Sequence, residues 1–251
     1  MLVLLKKIVY VIMVYMFFCT YTFASNPAII DASKCSSKMG EGGNYHSKQT
    51  KLAGKCEGNA LAPIIRNDRI VFSVPSQNSV IRQKSNDRTE LAFTKTPIQF
   101  NKNYLIDFKV QIDPKSDITN NFYYVMQIWQ SPEYSPIFGL RVDRGTKARG
   151  AFVIRNEQDH LAGKRIARVD LASKEKHYQI YLNINDNLTG KIKISENSKI
   201  IVDWDGLIGY PIENSSNKSR LLIMKFGLYK GPEPEKNFKV SFKDVALKQM
   251  D

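Results

Sequence analysis

Residues 178–185 read Tyr178-Gln179-Ile180-Tyr181-Leu182-Asn183-Ile184-Asn185. Tyr178, Ile180, Leu182 and Ile184 fall on one parity, and Gln179, Tyr181, Asn183 and Asn185 on the other. A period of two belongs to a β-strand, and one apolar side against one polar side predicts a half-buried strand of a two-sheet sandwich. Asn187-Leu188-Thr189-Gly190 then supplies turn residues, and Lys191-Ile192-Lys193-Ile194 resumes the alternation. The pair reads as a hairpin. Asp203-Trp204-Asp205-Gly206 is expected to end the next strand with turn chemistry.

Outward from this hairpin, short β-rich runs follow one another at sandwich spacing. They are Ile70 to Val74, Thr89 to Phe93, Tyr104 to Ile112, Phe122 to Gln130, Ile137 to Val142, Ala151 to Arg155, Lys199 to Trp204, Leu221 to Tyr229 and Phe238 to Leu247. No run outside the first 25 residues has helical periodicity, so the sheets are expected to be antiparallel. The class is all-β, in one domain.

Three of these runs share a feature. In Leu221 to Gly231, strand parity puts Lys225, Gly227 and Tyr229 on one face and Phe226 and Leu228 on the other. Arg88 and Glu90 project together in the same way, as do Gln127 and Trp129. Neighbouring strands would pool Arg88, Gln127, Lys225 and Tyr229 on one surface.

The N-terminus has a different character. Lys6 and Lys7 precede an apolar run from Ile8 to Phe18, and Thr22-Phe23-Ala24 offers a small-residue cleavage site before Ser25. This layout predicts a signal peptide over residues 1–24, and so a secreted or periplasmic protein with no membrane attachment after cleavage. The formal charge is +13, and +11 without Lys6 and Lys7. A strongly cationic exported chain suits an anionic partner. Nucleic acid is not the expected one, because no helix-turn-helix pattern, zinc spacing or aromatic ribonucleoprotein motif is present.

Cys35 and Cys56 remain after cleavage, 21 positions apart, and an oxidising compartment predicts that they join. They would tie residues 25–63, a glycine-rich stretch read as irregular, to a sandwich domain over 64–251. Two sulfurs and three scattered histidines give no metal-ligand spacing, and no acidic cluster predicts calcium. No cofactor is expected, and the domain is expected to act as a monomer.

An Arg88-Thr89-Glu90-Leu91 strand, a Gln127-Ile128-aromatic strand and a late Lys225-Phe226-Gly227-Leu228-Tyr229 strand, in this order, resemble the jelly-roll polysaccharide lyases. These are the heparin lyase I type together with related alginate and glucuronan lyases, and the resemblance runs from about Arg69 to Leu247. It implies a concanavalin-like β-jelly-roll sandwich of two curved antiparallel sheets, the concave one bearing Arg88, Gln127, Trp129, Lys225 and Tyr229. It also implies a lyase that breaks an anionic, uronate-containing polysaccharide by β-elimination. One position departs, since those families usually carry a histidine where this chain has Trp129.

Such a reaction needs the carboxylate neutralised, the C5 proton removed and the departing O4 protonated. Arg88 and Gln127 are the candidates for the carboxylate, one bringing charge and a planar fork, the other an amide donor. Tyr229 is the candidate for proton transfer, with Lys225 and Arg88 as cations that favour a phenolate. In the resembled lyases the tyrosine of this strand acts as acid, or as both base and acid.

Glu90 is expected to hold Arg88 or Lys225 in place. Trp129 can stack on a sugar or donate one N–H but cannot titrate. Arg141 and Arg144, with Lys147 and Arg149, would extend the anionic groove. His177 reads as a strand-start surface residue, while His46 and His160 lie in segments that could reach over a groove.

The missing histidine keeps a second reading open, a non-catalytic carbohydrate-binding protein on the same fold. Glycoside hydrolysis is weaker, because no Glu-x-Asp-x-x-Glu strand supplies paired carboxylates.

Overall fold

The computed structural model describes residues 44–46, 53–58, 63–66, 69–74, 88–93, 97–116, 123–130, 136–143, 148–158, 163–172, 174–211, 221–230 and 237–251. These residues form strands and connecting turns, with no helix among them. In chain order the strands are β1 (Asn44–His46), β2 (Ala53–Gly58), β3 (Ile64–Arg66), β4 (Arg69–Val74), β5 (Arg88–Ala92), β6 (Asn103–Ile112), β7 (Tyr123–Gln130) and β8 (Pro136–Val142). They continue as β9 (Arg149–Ile154), β10 (Lys164–Asp170), β11 (Lys176–Ile184), β12 (Thr189–Glu196), β13 (Lys199–Leu207), β14 (Leu222–Lys230) and β15 (Phe238–Met250).

An eight-stranded sheet runs β1-β2-β5-β14-β7-β8-β9-β10, and a seven-stranded sheet runs β13-β12-β11-β6-β15-β4-β3. Every pairing between these strands is antiparallel. The architecture is the all-β jelly-roll sandwich.

The core between the sheets follows from parity. Tyr178, Ile180, Leu182 and Ile184 of β11 are buried, and Leu222, Met224, Phe226 and Leu228 of β14 meet them from the other sheet. Aromatic rings lock the layers together. The Phe108 ring of β6 lies 5.1 Å from Phe226 of β14, and Phe226 lies 5.2 Å from Phe242 of β15. Phe152 of β9 meets Tyr178 of β11 edge to face at 5.2 Å. Each such pair contributes about 0.5 to 1.5 kcal/mol beyond its buried area.

Three sequence expectations are corrected. Residues 25–63 are not wholly irregular: β1 and β2 extend the eight-stranded sheet, with Cys56 opposite Leu91 and Glu57 opposite Glu90. The segment Ala53–Gly58 has no apolar alternation, so its pairing rests on the backbone. Second, β10 had no strand signal, because Lys-Arg-Ile-Ala-Arg-Val-Asp forms an exposed edge with a register shift between Arg165 and Ala167. Charges and a bulge on an edge discourage pairing with another chain.

Third, Asp203 to Gly206 does not turn. Gly206 stays in the ladder opposite Gly190, where a Cβ would stand 2.6 Å from the Trp204 ring that covers it. The signal segment, Cys35 and hence the Cys35–Cys56 bridge, Arg144, Lys147 and His160 lie outside the described residues.

Candidate active site

The face of the eight-stranded sheet turned away from the core carries the candidate site. On β14 the core takes Leu222, Met224, Phe226 and Leu228, which leaves Ile223, Lys225, Gly227 and Tyr229 on the opposite face. β5 pairs with β14 in continuous register, so Ala92 stands opposite Lys225, Glu90 opposite Gly227 and Arg88 opposite Tyr229. On the other flank Gln127 stands opposite Lys225, and Trp129 opposite Ile223. The register thus brings Arg88, Gln127, Trp129, Lys225 and Tyr229 onto adjacent strands.

Gly227 makes this alignment possible. Its φ is +138°, a conformation that side chains with a Cβ rarely adopt. In the pairing with β7, Phe226 lies opposite Met126 and Tyr229 opposite Tyr124, so three steps of β14 match two of β7. A second irregularity lies in β7, where Tyr124 pairs with Arg141 and Met126 with Leu140. These bulges set Arg88, Tyr229, Tyr124 and Arg141 in one row across four strands. Tyr124, though only 2 % exposed, lies outside the inter-sheet cluster that holds Tyr123, Val125, Met126 and Ile128.

Several polar groups of this face are buried. Glu90 is 1 %, Gln127 0 % and Lys225 7 % exposed. Buried polar groups must find partners, and charged ones most of all. The Gln127 Nε2 donates a hydrogen bond to Glu90 Oε1, so Glu90 fixes the amide. The Lys225 ammonium lies 5.2 Å from the centroid of the Trp129 ring. Such an arrangement stabilises a partly desolvated cation by about 0.5 to 2 kcal/mol.

Arg141 donates from Nε to Asp143 Oδ1 at 3.1 Å, and Arg165 Nε approaches Asp143 Oδ2 at 3.4 Å. Arg149 is exposed at the start of β9. His177 sits on the outer face of the seven-stranded sheet with Nε2 2.8 Å from Asp107 Oδ1, away from this site. His46 belongs by its backbone to β1 at the sheet edge.

Two residues escaped the sequence reading. Tyr124 reaches this face only through the bulge, and its ring lies over Gly139, where a Cβ would stand 3.1 Å from Tyr124 Cδ1. Arg155, just past β9, is 8 % exposed and holds its guanidinium carbon 5.6 Å from the Tyr124 ring centroid. Its parity with Val153 was the signal available, since Phe152 and Ile154 point to the core.

A groove of about 350 Å³ lies on the outer face of the seven-stranded sheet, lined by Arg69, Gln111, Asp113, Lys239 and Ser241 among others. Its cations are already paired: Arg69 with Glu175, and Lys239 with Asp113. Among the described residues no three His, Cys, Asp or Glu side chains converge as metal ligands.

Solved structures share this architecture. The chain superposes on alginate lyase Aly36B with a TM-score of 0.55 and 10% identity, covering 78% of this chain and 86% of that one. For alginate lyase AlgAT5, of polysaccharide lyase family 7, the TM-score is 0.52 with 13% identity, over 77% of this chain and 85% of that one. The family 7 alginate lyase A1-II′ gives 0.52 and 11%, over 75% and 83%.

The fold is the alginate-lyase jelly roll. The named structures are alginate lyases rather than the heparin lyase I type. No protein-family model and no curated protein matches the sequence.

Proposed function

We propose that this chain is an exported, monomeric polysaccharide lyase that cleaves an anionic, uronate-containing glycan by β-elimination. The observation that carries the reading is the row in which Tyr229 stands between Arg88 and Tyr124, with Lys225 and Gln127 on the same face. A Glu90-held amide at Gln127 and the Arg88 position supply the donors that neutralise the substrate carboxylate. Preorganised donors of this kind are typically worth about 3 kcal/mol each in the barrier.

Tyr229, as phenolate, takes the C5 proton. The C5–H electron pair becomes the C4=C5 double bond, the C4–O4 bond breaks, and the proton leaves Tyr229 for O4. One residue can serve both transfers when the proton and the leaving group lie on the same side of the sugar. Trp129 and Lys225 flank this chemistry as a stacking surface and a charge. Alginate is the substrate class that the similar structures favour, several of them holding alginate-type oligosaccharides.

The test is ultraviolet absorbance of the conjugated unsaturated uronate released from a panel of polyuronates. Turnover by the wild type that vanishes in Tyr229→Phe while binding persists is expected. A wild type that binds a polyuronate without ever producing the chromophore would replace the lyase by the second reading. That reading, a carbohydrate-binding protein, is favoured by one feature, the indole at position 129, which can stack on a sugar but cannot titrate.

A further inference from the structure

We infer that Arg155 is an anion subsite on the same face, binding the carboxylate of a uronate that neighbours the cleaved unit. The inference rests on the polyuronate reading and adds to it a residue outside the motif strands.

Arg155 is fixed at both backbone ends. Its N–H donates to Ile137 O at 2.7 Å, and its carbonyl accepts from Gly209 N at 2.8 Å. Gly163 leaves room for the stem, since a Cβ there would stand 2.9 Å from Arg155 Cγ and 2.5 Å from Val153 Cγ1. The guanidinium then lies against the Tyr124 ring. A stacked guanidinium keeps its in-plane donors available for a planar oxyanion.

Among the described residues nothing answers this charge. Arg155 is only 8 % exposed, its Nε has no hydrogen-bond partner, and no carboxylate among the described residues pairs with it. Elsewhere cations are matched: Arg69 with Glu175, Arg141 with Asp143, Lys109 with Asp244 and Lys176 with Glu196. An arginine cannot shed its proton to escape the cost of burial, so its natural counter-ion is a ligand.

Position identifies that ligand. Val153 pairs with Gly139, and Gly139 with Gln127, which places Arg155 two residues past the Gln127 row, just beyond the end of β9. Tyr124, under the guanidinium, is the register partner of Tyr229. In the sheet order β14-β7-β8-β9 the Arg155 backbone is three strand spacings from Tyr229, about 14 Å, and its side chain reaches back to the Tyr124 ring on β7. That is the scale of a neighbouring sugar and not of the reacting carbon. Arg155 is therefore a binding residue, separate from the proton-transfer machinery.

The experiment compares wild type with Arg155→Met, which keeps the stem, and Arg155→Lys, which keeps charge without the fork. Affinity is measured for a polyuronate and for the same polymer with its carboxyl groups reduced to alcohols, across salt concentrations. Turnover is followed in parallel by the ultraviolet assay, and folding by thermal melting. Arg155→Met should weaken binding of the acid polymer by about tenfold, equivalent to about 1.4 kcal/mol.

It should leave the reduced polymer unaffected, flatten the salt dependence, and raise KM rather than lower kcat. Arg155→Lys should fall between. Equal losses on both polymers would assign Arg155 to structure alone, and an unchanged affinity for the acid polymer would overturn the subsite while the lyase reading stands. If wild type neither binds nor cleaves any polyuronate, both fall together. Should Arg155→Met fail to fold, the lysine variant decides: an affinity equal to wild type on the acid polymer refutes the forked carboxylate contact.

Discussion

Replacing Gly227 by alanine tests the alignment on which the site depends. Gly227 has φ +138°, and an added Cβ would lie 2.2 Å from Thr89 O, 2.7 Å from Glu90 Cα and 3.0 Å from Phe72 Cδ1. The first two are backbone atoms of β5 and cannot rotate away. Forcing a Cβ into such a conformation costs about 1 to 3 kcal/mol. Crowding a packed interior adds about 1 to 3 kcal/mol. The sum, roughly 2 to 6 kcal/mol, is a large part of the about 5 to 15 kcal/mol that holds a domain together.

Relief requires β5 to move away from β14, which breaks the pairing of Glu90 with Gly227 and of Arg88 with Tyr229. Urea unfolding should show a midpoint lowered by about 1 to 3 M for a slope of about 2 kcal/mol/M. Turnover should fall further than the loss of folded protein explains. A variant with wild-type midpoint and wild-type turnover would refute both the positive φ and the claim that this glycine sets the register.

Other outcomes follow from the same structure. Gln127→Leu removes the amide that donates to Glu90, leaving a buried carboxylate short of a donor; stability at neutral pH should drop by about 1 to 3 kcal/mol, and an unaltered unfolding curve would contradict the pairing. Trp129→Ala strips the ring from Lys225 and should weaken glycan binding by roughly 1 to 3 kcal/mol, measured by calorimetry; undiminished affinity would remove Trp129 from the binding surface.

Tyr178 is buried with its hydroxyl donating to Glu196 Oε2 at 3.0 Å, and burial first, then Glu196, pushes the phenol far above its ordinary value. Above about pH 10 the unfolded chain loses this proton while the native state keeps it, so stability falls as pH rises, by up to about 1.4 kcal/mol per unit. Below that pH both states are protonated and the slope vanishes. Tyr178→Phe should cost about 1 kcal/mol at neutral pH and close the gap to wild type by about pH 11 in urea titrations; a constant gap would rule the linkage out.

What the sequence made legible was whatever has one dry face. The alternation of β11 and of β14 survives intact because slipping either strand by one residue would turn a whole apolar row into water. The predicted strands over 104–112, 122–130 and 137–142 lie within a residue of β6, β7 and β8. The same parity placed Lys225 and Tyr229 on one face.

Parity fails where the ladder adds a residue. Tyr124 shares its parity with Met126 and Ile128 of the core, yet the bulges set it in one row with Tyr229 and Arg141. β2 and β10 are edge or near-edge strands held by backbone pairing, and nothing in their side chains announces a strand. Arg155 was hidden for another reason. Its neighbours on the site are brought by β7 and by Gly163, which no motif around Arg155 contains.

Trp129 and Lys225 are best understood as one choice. A protonated histidine at position 129 would set a second cation against the Lys225 ammonium on the neighbouring strand, and like charges in a half-buried site repel. A neutral indole instead offers that ammonium the negative face of its ring, 5.2 Å away. The chain thereby keeps a lysine in the row of Gln127 and gives up a titratable group. In the proposed reaction this leaves both proton transfers to Tyr229, whose register neighbours are Arg88 and Tyr124. It also leaves substrate charge to be met by groups that do not titrate near neutrality, a pair of arginines at 88 and 155 and a Glu90-held amide at 127, so the cations that hold the glycan need not change protonation as the proton moves.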